Sequence, residues 1–265
     1  MDLQHVSTEL PACVSKSQPV LICPEKRTPK RPLYLSNIDN LNFLRYHFEL
    51  LFAYRKSVPI EDLKSSLSEV LFHYYPLVGR IRICSEDEDR LEVDCNGKGA
   101  LLAEGFMDFT VDEFLKDNTW LNMAWKDKLL FEVDAQSDLD IPPLVTYLSC
   151  GGMLMCISMY HCMADGVGVS KFLHDWAHLR GNPNMDLPIP PIHNRELLKP
   201  RNPLQIPFDH PEFTDITQDF DISKYLKSQT LDPSCLTMTQ SHIQRLKTFC
   251  EPSLKCSTFE ALAAH

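Results

Sequence analysis

The segment that decides the fold reads LVTYLSCGGMLMCISMYHCMADG and spans residues 144–166. Within it, two apolar runs at 144–150 and 153–160 flank Gly151 and Gly152. This pattern predicts a β-hairpin whose turn accepts a positive φ at both glycines. Because both runs are apolar along their length, we expect the two strands to be buried in a sheet.

A histidine and an aspartate follow the second apolar run. His161 ends the predicted strand, and Asp165 and Gly166 stand where a helical pattern begins. Histidine is the side chain whose ordinary pKa lies nearest neutrality, so a loop histidine beside a pocket is suited to be a general base. A structural role for His161 is the alternative. Asp165 also has two interpretations, because it can pair with a cation and orient the loop or cap the helix.

Hydrophobic periodicity places the other elements. Helical spacing of apolar residues and a stop at Gly181 predict a helix from about Gly166 to Arg180. We expect further strands at 20–23, 43–54, 80–84 and 90–95, and further helices at 60–75, 111–116 and 241–249.

Composition excludes several classes of partner. The chain has 265 residues, 44% of them apolar, and a net charge of −10, which argues against nucleic acid or an anionic membrane surface as the main partner. No apolar stretch is long enough for a signal peptide or a membrane span. Ten cysteines occur without a Cys-x-x-Cys pair, which favours reduced thiols. We therefore predict a cytoplasmic protein.

Prolines concentrate in the second half of the chain. The segment 182–232 is proline-rich and predicts a stiff crossover between two lobes. We expect a first lobe over 1–181, this crossover, and the start of a second lobe over 233–265. Ser257 and Glu260 form a capping box that opens a helix with no stop signal after it. We therefore expect the sequence to be part of a longer protein.

Rival sites are weaker. Cys162 adjoins His161, but neighbouring residues on an extended chain point to opposite faces and do not normally form a nucleophile–base pair. His174 and His178 have the spacing of two metal ligands on a helix, yet no glutamate or cysteine set accompanies them, so surface histidines are favoured. The sequence has no Gly-x-Ser-x-Gly elbow, phosphate loop or dinucleotide fingerprint.

Several motifs occur in a common order along the chain. They are Leu35-Ser36-Asn37-Ile38-Asp39, Tyr74-Tyr75-Pro76-Leu77-Val78-Gly79-Arg80, Val93-Asp94-Cys95-Asn96-Gly97-Lys98-Gly99-Ala100, Cys150-Gly151-Gly152, His161-Cys162-Met163-Ala164-Asp165-Gly166 and Cys256-Ser257-Thr258-Phe259-Glu260-Ala261-Leu262. In these motifs the chain resembles the plant BAHD acyltransferases, which transfer acyl groups from coenzyme A thioesters to alcohols or amines.

The resemblance implies a fold and a set of roles. The fold would be a two-lobed α/β fold like that of chloramphenicol acetyltransferase, with a mixed β-sheet flanked by helices in the first lobe and a truncated second lobe. His161 would be the general base that removes the acceptor hydroxyl proton, without an acyl-enzyme. Asp165 would support His161 by pairing with an arginine beyond the chain, and Gly166 completes the catalytic motif. Ser36 would lie on the strand that lines the acceptor pocket.

The resemblance also implies partners. Acyl-coenzyme A would be a co-substrate, with no permanently bound cofactor and no metal, and the protein would be a monomer. Three segments are similar to the branch that moves hydroxycinnamoyl groups to fatty alcohols and ω-hydroxy acids. These are Ile141-Pro142-Pro143-Leu144, His161-Cys162-Met163 and Leu197-Leu198-Lys199-Pro200-Arg201-Asn202-Pro203. Acetyl or benzoyl donors, and shikimate or polyamine acceptors, are alternatives with the same chemistry.

One family motif is missing. The sequence contains no Asp-Phe-Gly-Trp-Gly, which the family carries in its second lobe. The resemblance places most coenzyme A contacts in that lobe. We therefore expect residues 1–265 alone to be inactive or barely active. A non-catalytic interaction protein is the alternative outside enzymes.

Overall fold

The computed structural model describes residues 15–116, 125–131, 144–203, 205–209, 228, 238–249 and 255–264. Its strands are β1 Ser15–Lys16, β2 Val20–Ile22, β3 Pro32–Tyr34, β4 His47–Tyr54, β5 Arg80–Ile83, β6 Leu91–Asp94, β7 Ala100–Met107, β8 Leu144–Leu148 and β9 Met153–Tyr160. Its α-helices are α1 Ile60–His73, α2 Val111–Lys116, α3 Trp125–Leu129, α4 Gly166–Gly181, α5 Gln240–Lys247 and α6 Thr258–Ala263. Short 3-10 helices span Asn42–Leu44, Tyr75–Val78 and Arg195–Leu198.

The predicted hairpin lies in a mixed six-stranded sheet. The order along this sheet is β1-β7-β8-β9-β4, and β2 also pairs with β7. Strands β7 and β8 are parallel, whereas β8 with β9, and β9 with β4, are antiparallel. A second, antiparallel sheet has the order β3-β6-β5 and contains the predicted hairpin at 80–95.

Strand β9 is buried on both faces because helices cover each side of the main sheet. Met155 and Ile157 pack in one cluster with apolar side chains of α1 and α4. Leu154 and Cys156, which point the other way, pack with side chains of α2 and α3. This alternation explains why β9 reads as a continuous apolar run. The expected α/β class, a mixed sheet flanked by helices, is confirmed.

The hairpin turn differs from the prediction. Gly151 has a φ of +80°, but Gly152 does not adopt a positive φ. The Gly151 N–H donates to the Leu148 carbonyl at 3.0 Å, so Ser149 and Cys150 form the turn and Gly151 follows in the left-handed conformation. Gly152 serves packing instead. A Cβ there would lie 2.6 Å from Val111 Cγ2 and 2.7 Å from the Tyr54 carbonyl oxygen.

Strand β4 starts later than predicted. We expected a strand from Phe43, but Asn42–Leu44 form a 3-10 helix, and Phe43 is 51% exposed. The ladder with β9 begins at the pair of His47 with Tyr160. A strand needs a partner to satisfy its backbone, so β4 extends only as far as β9 does.

Helices α1 and α6 begin where the sequence predicts. Helix α1 follows Pro59 and ends before Pro76. Ser257 and Glu260 form the predicted capping box, in which the Ser257 Oγ accepts from the Glu260 N–H at 3.2 Å. Residues Ile141-Pro142-Pro143 lie outside the described residues. None of the described helices is both long and apolar enough to cross a membrane.

The chain separates into two compact units, Met1–Thr230 and Leu231–His265. The first contains both sheets and helices α1 to α4, and the second contains α5 and α6. The predicted lobe boundaries, with a crossover over 182–232 between two lobes, remain a prediction.

We expect Gly152→Ala to lower the free energy of unfolding by about 1–3 kcal/mol, because the new methyl group would overlap Val111 and the Tyr54 carbonyl. Gly181→Ala is the matched control, since a Cβ at Gly181 meets nothing within 4 Å. Urea unfolding followed by circular dichroism measures both. Equal stabilities for the two variants would contradict the packing role of Gly152.

Candidate active site

The backbone of β4 and β9 places His161. Its N–H donates to the Tyr46 carbonyl at 2.9 Å, which continues the pairing of the two strands by one residue. Its ring lies against the rings of Tyr46 and Phe48, at centroid distances of 5.4 and 5.0 Å. The imidazole is thus held by neighbouring aromatic rings.

The Nδ1 atom of His161 is buried, and within the described ranges it has no hydrogen-bond partner. In a Ser-His-Asp triad, a carboxylate bonds to Nδ1 and orients the ring. Here that bond is absent among the described residues, and the oxygen of Asp165 bonds elsewhere. The arrangement therefore differs from a hydrolase triad.

His161 lies at the wall of a cavity of about 650 Å³. The histidine loop, the start of α4, the 3-10 helix at Tyr75–Val78 and the segment 189–195 line it. Both apolar and charged side chains line this cavity. The apolar lining includes Ile38, Leu44, Leu77, Met159, Met163 and Phe172. The charged or titratable lining consists of Asp39, Tyr74, His161, Asp165, Lys171, His193 and Arg195.

Asp165 caps helix α4. It has extended backbone angles, φ −92° and ψ −174°, and its Oδ1 accepts from the Gly168 N–H at 2.8 Å. Of the two interpretations of Asp165, the structure shows capping, and no ion pair reaches Asp165 from the described residues. Gly166 is the first residue of α4, and a Cβ there would meet nothing within 4 Å. Sterics therefore do not require glycine at 166.

Ser36 lies in the loop after β3 and is buried. Its Oγ donates to Asp39 Oδ2 at 2.7 Å, and its N–H donates to the same oxygen at 3.2 Å. Asp39 lines the cavity, whereas Ser36 is not among its lining residues. Ser36 thus orients a cavity carboxylate, and its contact with a substrate stays a prediction.

Arg195 is the site residue that sequence reasoning missed. Its guanidinium donates to the Met163 carbonyl at 2.7 Å and to the Cys162 carbonyl at 3.4 Å, and it lies 3.3 Å from Asp39 Oδ2. No local pattern marks Arg195, because its contacts come from residues more than thirty positions away. Its position beside the segment 197–203 is the only sequence signal near it.

The thiol of Cys162 is unsuited to nucleophilic catalysis. The side chain is fully buried, and burial raises its pKa to about 12. The reactive form of cysteine is the thiolate, which is scarce at neutral pH under these conditions. This agrees with the low weight given to Cys162 as a nucleophile.

A buried carboxylate lies behind the α4 side of the cavity. Asp175 Oδ2 accepts from the Tyr74 hydroxyl at 2.6 Å and from Lys171 Nζ at 2.8 Å. Burial, followed by the bond to Asp175, raises the pKa of Tyr74, so its hydroxyl stays a hydrogen-bond donor. These bonds fix two cavity-lining side chains.

His193 is the second cavity histidine. It is half-buried, and its Nε2 donates to the His73 carbonyl at 2.7 Å. Burial lowers the pKa of His193. The hydrogen bond to the His73 carbonyl opposes this lowering, and the nearby charges of Arg195 and Arg31 add to it, so the net shift of the pKa is downward. Within the described residues, no group of three His, Cys, Asp or Glu side chains is placed to hold a metal ion.

Comparison with known proteins adds a decisive observation. A family model described as the Transferase family matches residues 12–265. The chain belongs to this family, the BAHD acyltransferases.

Curated BAHD relatives match nearly all of this chain. A fatty alcohol:caffeoyl-CoA acyltransferase of Arabidopsis thaliana is 34% identical over 94% of this chain and 59% of its own length. An omega-hydroxypalmitate O-feruloyl transferase of the same plant is 35% identical over 95% and 57%. A benzyl alcohol O-benzoyltransferase of Petunia hybrida is 31% identical over 97% and 57%. The chain thus spans 57–59% of the length of these relatives.

Two solved structures share the fold. Vinorine synthase superposes with a TM-score of 0.52 at 24% identity, over 69% of this chain and 47% of that one. The TRI101 protein of F. graminearum, complexed with coenzyme A and T-2 mycotoxin, superposes with a TM-score of 0.51 at 12% identity. This superposition covers 88% of this chain and 58% of the TRI101 chain. At these identities the likeness concerns the fold.

We expect Asp165→Ala to lower the free energy of unfolding by about 1 kcal/mol, because helix α4 loses its side-chain cap. Asp165→Asn is the control, since an amide oxygen can accept the same bond from Gly168. We expect Asn to retain nearly all the stability in urea unfolding. An Asn variant as unstable as the Ala variant would contradict the capping role.

We expect acid to destabilise the fold through His193. Its pKa in the folded state lies below the unfolded value near 6.5, so between these values the unfolded chain binds more protons. Stability from this group is therefore fully present above about pH 7 and falls as the pH drops below 6.5. Urea unfolding at several pH values should show a shallower decline in His193→Gln than in the parent.

The exposed His174 on α4 supplies the control. His174→Gln should leave the pH dependence of stability unchanged. If His193→Gln declines as steeply as the parent protein, His193 is not the group responsible.

Proposed function

We propose that this chain carries the general base of an acyl-CoA-dependent O-acyltransferase, and that this base is His161. The supporting observation is the placement of His161 at a cavity of about 650 Å³, with its ring fixed by Tyr46 and Phe48. Family membership supports the reaction class.

The proposed reaction is a direct transfer. The acceptor hydroxyl oxygen attacks the thioester carbonyl carbon while its proton passes to the His161 imidazole. The tetrahedral intermediate then collapses, the carbon–sulfur bond breaks, and the imidazolium returns its proton to the coenzyme A sulfur. No acyl-enzyme is needed, and the raised pKa of the neighbouring Cys162 disfavours one.

Asp165 and Gly166 contribute to this site by starting helix α4. The Asp165 cap starts helix α4 directly after the histidine loop, so the strand end and the helix start together fix the position of His161. Removing a correctly positioned base typically lowers the rate by about 10²–10⁴-fold. Ser36 acts on the cavity through Asp39.

For substrates, we propose a hydroxycinnamoyl donor and a long-chain alcohol or ω-hydroxy acid acceptor. Relatives at 34–35% identity are named for caffeoyl or feruloyl transfer to such acceptors. The apolar part of the cavity lining, including Ile38, Met159 and Phe172, suits an aryl or alkyl group. Benzoyl transfer is the alternative, since a relative at 31% identity is a benzoyltransferase.

We propose acyl-coenzyme A as a co-substrate with no resident cofactor, in a monomeric cytoplasmic protein. A solved structure that shares the fold contains coenzyme A. The apolar part of the cavity lining suits the acyl group, while family membership supports coenzyme A as its carrier.

The test measures acyl transfer by residues 1–265 and by any longer reading frame that contains them. Feruloyl-, benzoyl- and acetyl-coenzyme A are offered with hexadecanol, ω-hydroxypalmitate, shikimate and spermidine. We expect residues 1–265 alone to show little or no transfer, and the longer protein to transfer feruloyl groups to the long-chain acceptors. In the longer protein, His161→Ala should lower kcat about 10²–10⁴-fold.

His174→Ala is the matched control, because His174 is exposed on α4 and does not line the cavity. We expect it to keep full activity. A His161→Ala variant as active as the control would overturn the assignment of the base. Transfer only to shikimate or spermidine would overturn the acceptor proposal.

A further inference from the structure

The loop between β9 and α4 exposes backbone carbonyls that neither element can satisfy. Cys162 and Met163 follow the last paired residue of β9 and precede Gly166, the first residue of α4. Both carbonyls accept from Arg195, at 3.4 and 2.7 Å. A buried carbonyl without a partner is unfavourable, so this guanidinium completes the hydrogen bonding of the loop.

Arg195 is itself held in place. Asp39 Oδ2 lies 3.3 Å from its Nη1, and the same oxygen accepts two bonds from Ser36. The Arg195 side chain is 23% exposed, so its ion pair is only partly screened by water. Ser36 thus orients the Asp39 carboxylate, and this carboxylate in turn orients the Arg195 guanidinium toward the loop.

The segment that carries Arg195 is fastened at two further points. The Ile189 carbonyl accepts from Lys171 Nζ at 2.7 Å, and His193 Nε2 donates to the His73 carbonyl at 2.7 Å. Residues 189–193 together with Arg195 line the cavity. We name residues 189–195 the strap.

We propose that the strap, through Arg195, positions the catalytic loop for the proposed acyl transfer, so that Arg195 is a positioning residue for His161. This proposal rests on the proposed function. Arg195 binds the two residues directly after His161, and its contacts are made to main-chain atoms. Displacing the loop would move the imidazole relative to a bound acceptor, and misplacement of this kind lowers the rate without abolishing binding.

The first test does not depend on activity. The Met163 N–H donates to the Tyr160 carbonyl at 2.9 Å, so its hydrogen exchange reports opening of the loop. We expect Arg195→Gln to speed this exchange about 10–100-fold, because bonds from a charged donor are lost, while amides within β9 keep their protection. Arg195→Lys, which keeps one charged donor, should restore most of the protection.

The matched control is Arg180→Gln. Arg180 lies 3.4 Å from Asp62 in an exposed ion pair away from the cavity. We expect this variant to exchange at Met163 like the parent protein. If Arg195→Gln behaves as the control does, the positioning role is wrong.

The second test measures acyl transfer, in whichever of the two proteins of the activity test, residues 1–265 or the longer one, is active. We expect Arg195→Gln to lower kcat about 10–100-fold with KM within about twofold, and Arg195→Lys to recover most of kcat. A rise in KM with unchanged kcat would overturn the positioning role in favour of substrate binding. Absence of transfer in the unsubstituted longer protein would overturn the proposed function instead, while the exchange result would still decide whether Arg195 holds the loop.

Discussion

The pairing of β4 with β9 is the constraint on which the rest of the structure depends. It runs from His47 opposite Tyr160 to Tyr54 opposite Met153, and the bond from the His161 N–H to Tyr46 extends it. A slip of one residue would reverse which side chains face each side of the sheet. The register therefore decides both the burial pattern and the aromatic contacts of His161.

Burial on both faces of β9 gives this register its stability. Helices α1 and α4 cover one face, while α2 and α3 cover the other. The close approach at Gly152 packs the hairpin against α2 and the end of β4. His161 directly follows this buried strand, so the backbone bond to Tyr46 and the rings of Tyr46 and Phe48 fix its position at the cavity wall.

Local patterns predicted the parts of this structure whose partners are close in sequence. The hairpin at 144–160, helix α4, and the cap or ion-pair alternatives for Asp165 all followed from residues within a few positions of one another. The start of β4 was wrong because it depends on where a strand about a hundred residues later ends. The prediction for Gly152 was wrong because Ser149 and Cys150 form the turn, so Gly152 already pairs with Leu148, and packing against Val111 is what leaves no room for a side chain there.

For the candidate site, periodicity and motif spacing were enough to single out His161, its place at a strand end and the helix that follows. Which groups fix the histidine loop was decided by tertiary structure. Arg195 lies beyond Pro188, Pro190 and Pro191, and it meets the loop and Asp39 only because the strap folds along the cavity wall. The physical reason is that periodicity reports which face of an element is apolar, whereas a hydrogen bond between distant segments depends on how the packed elements are arranged.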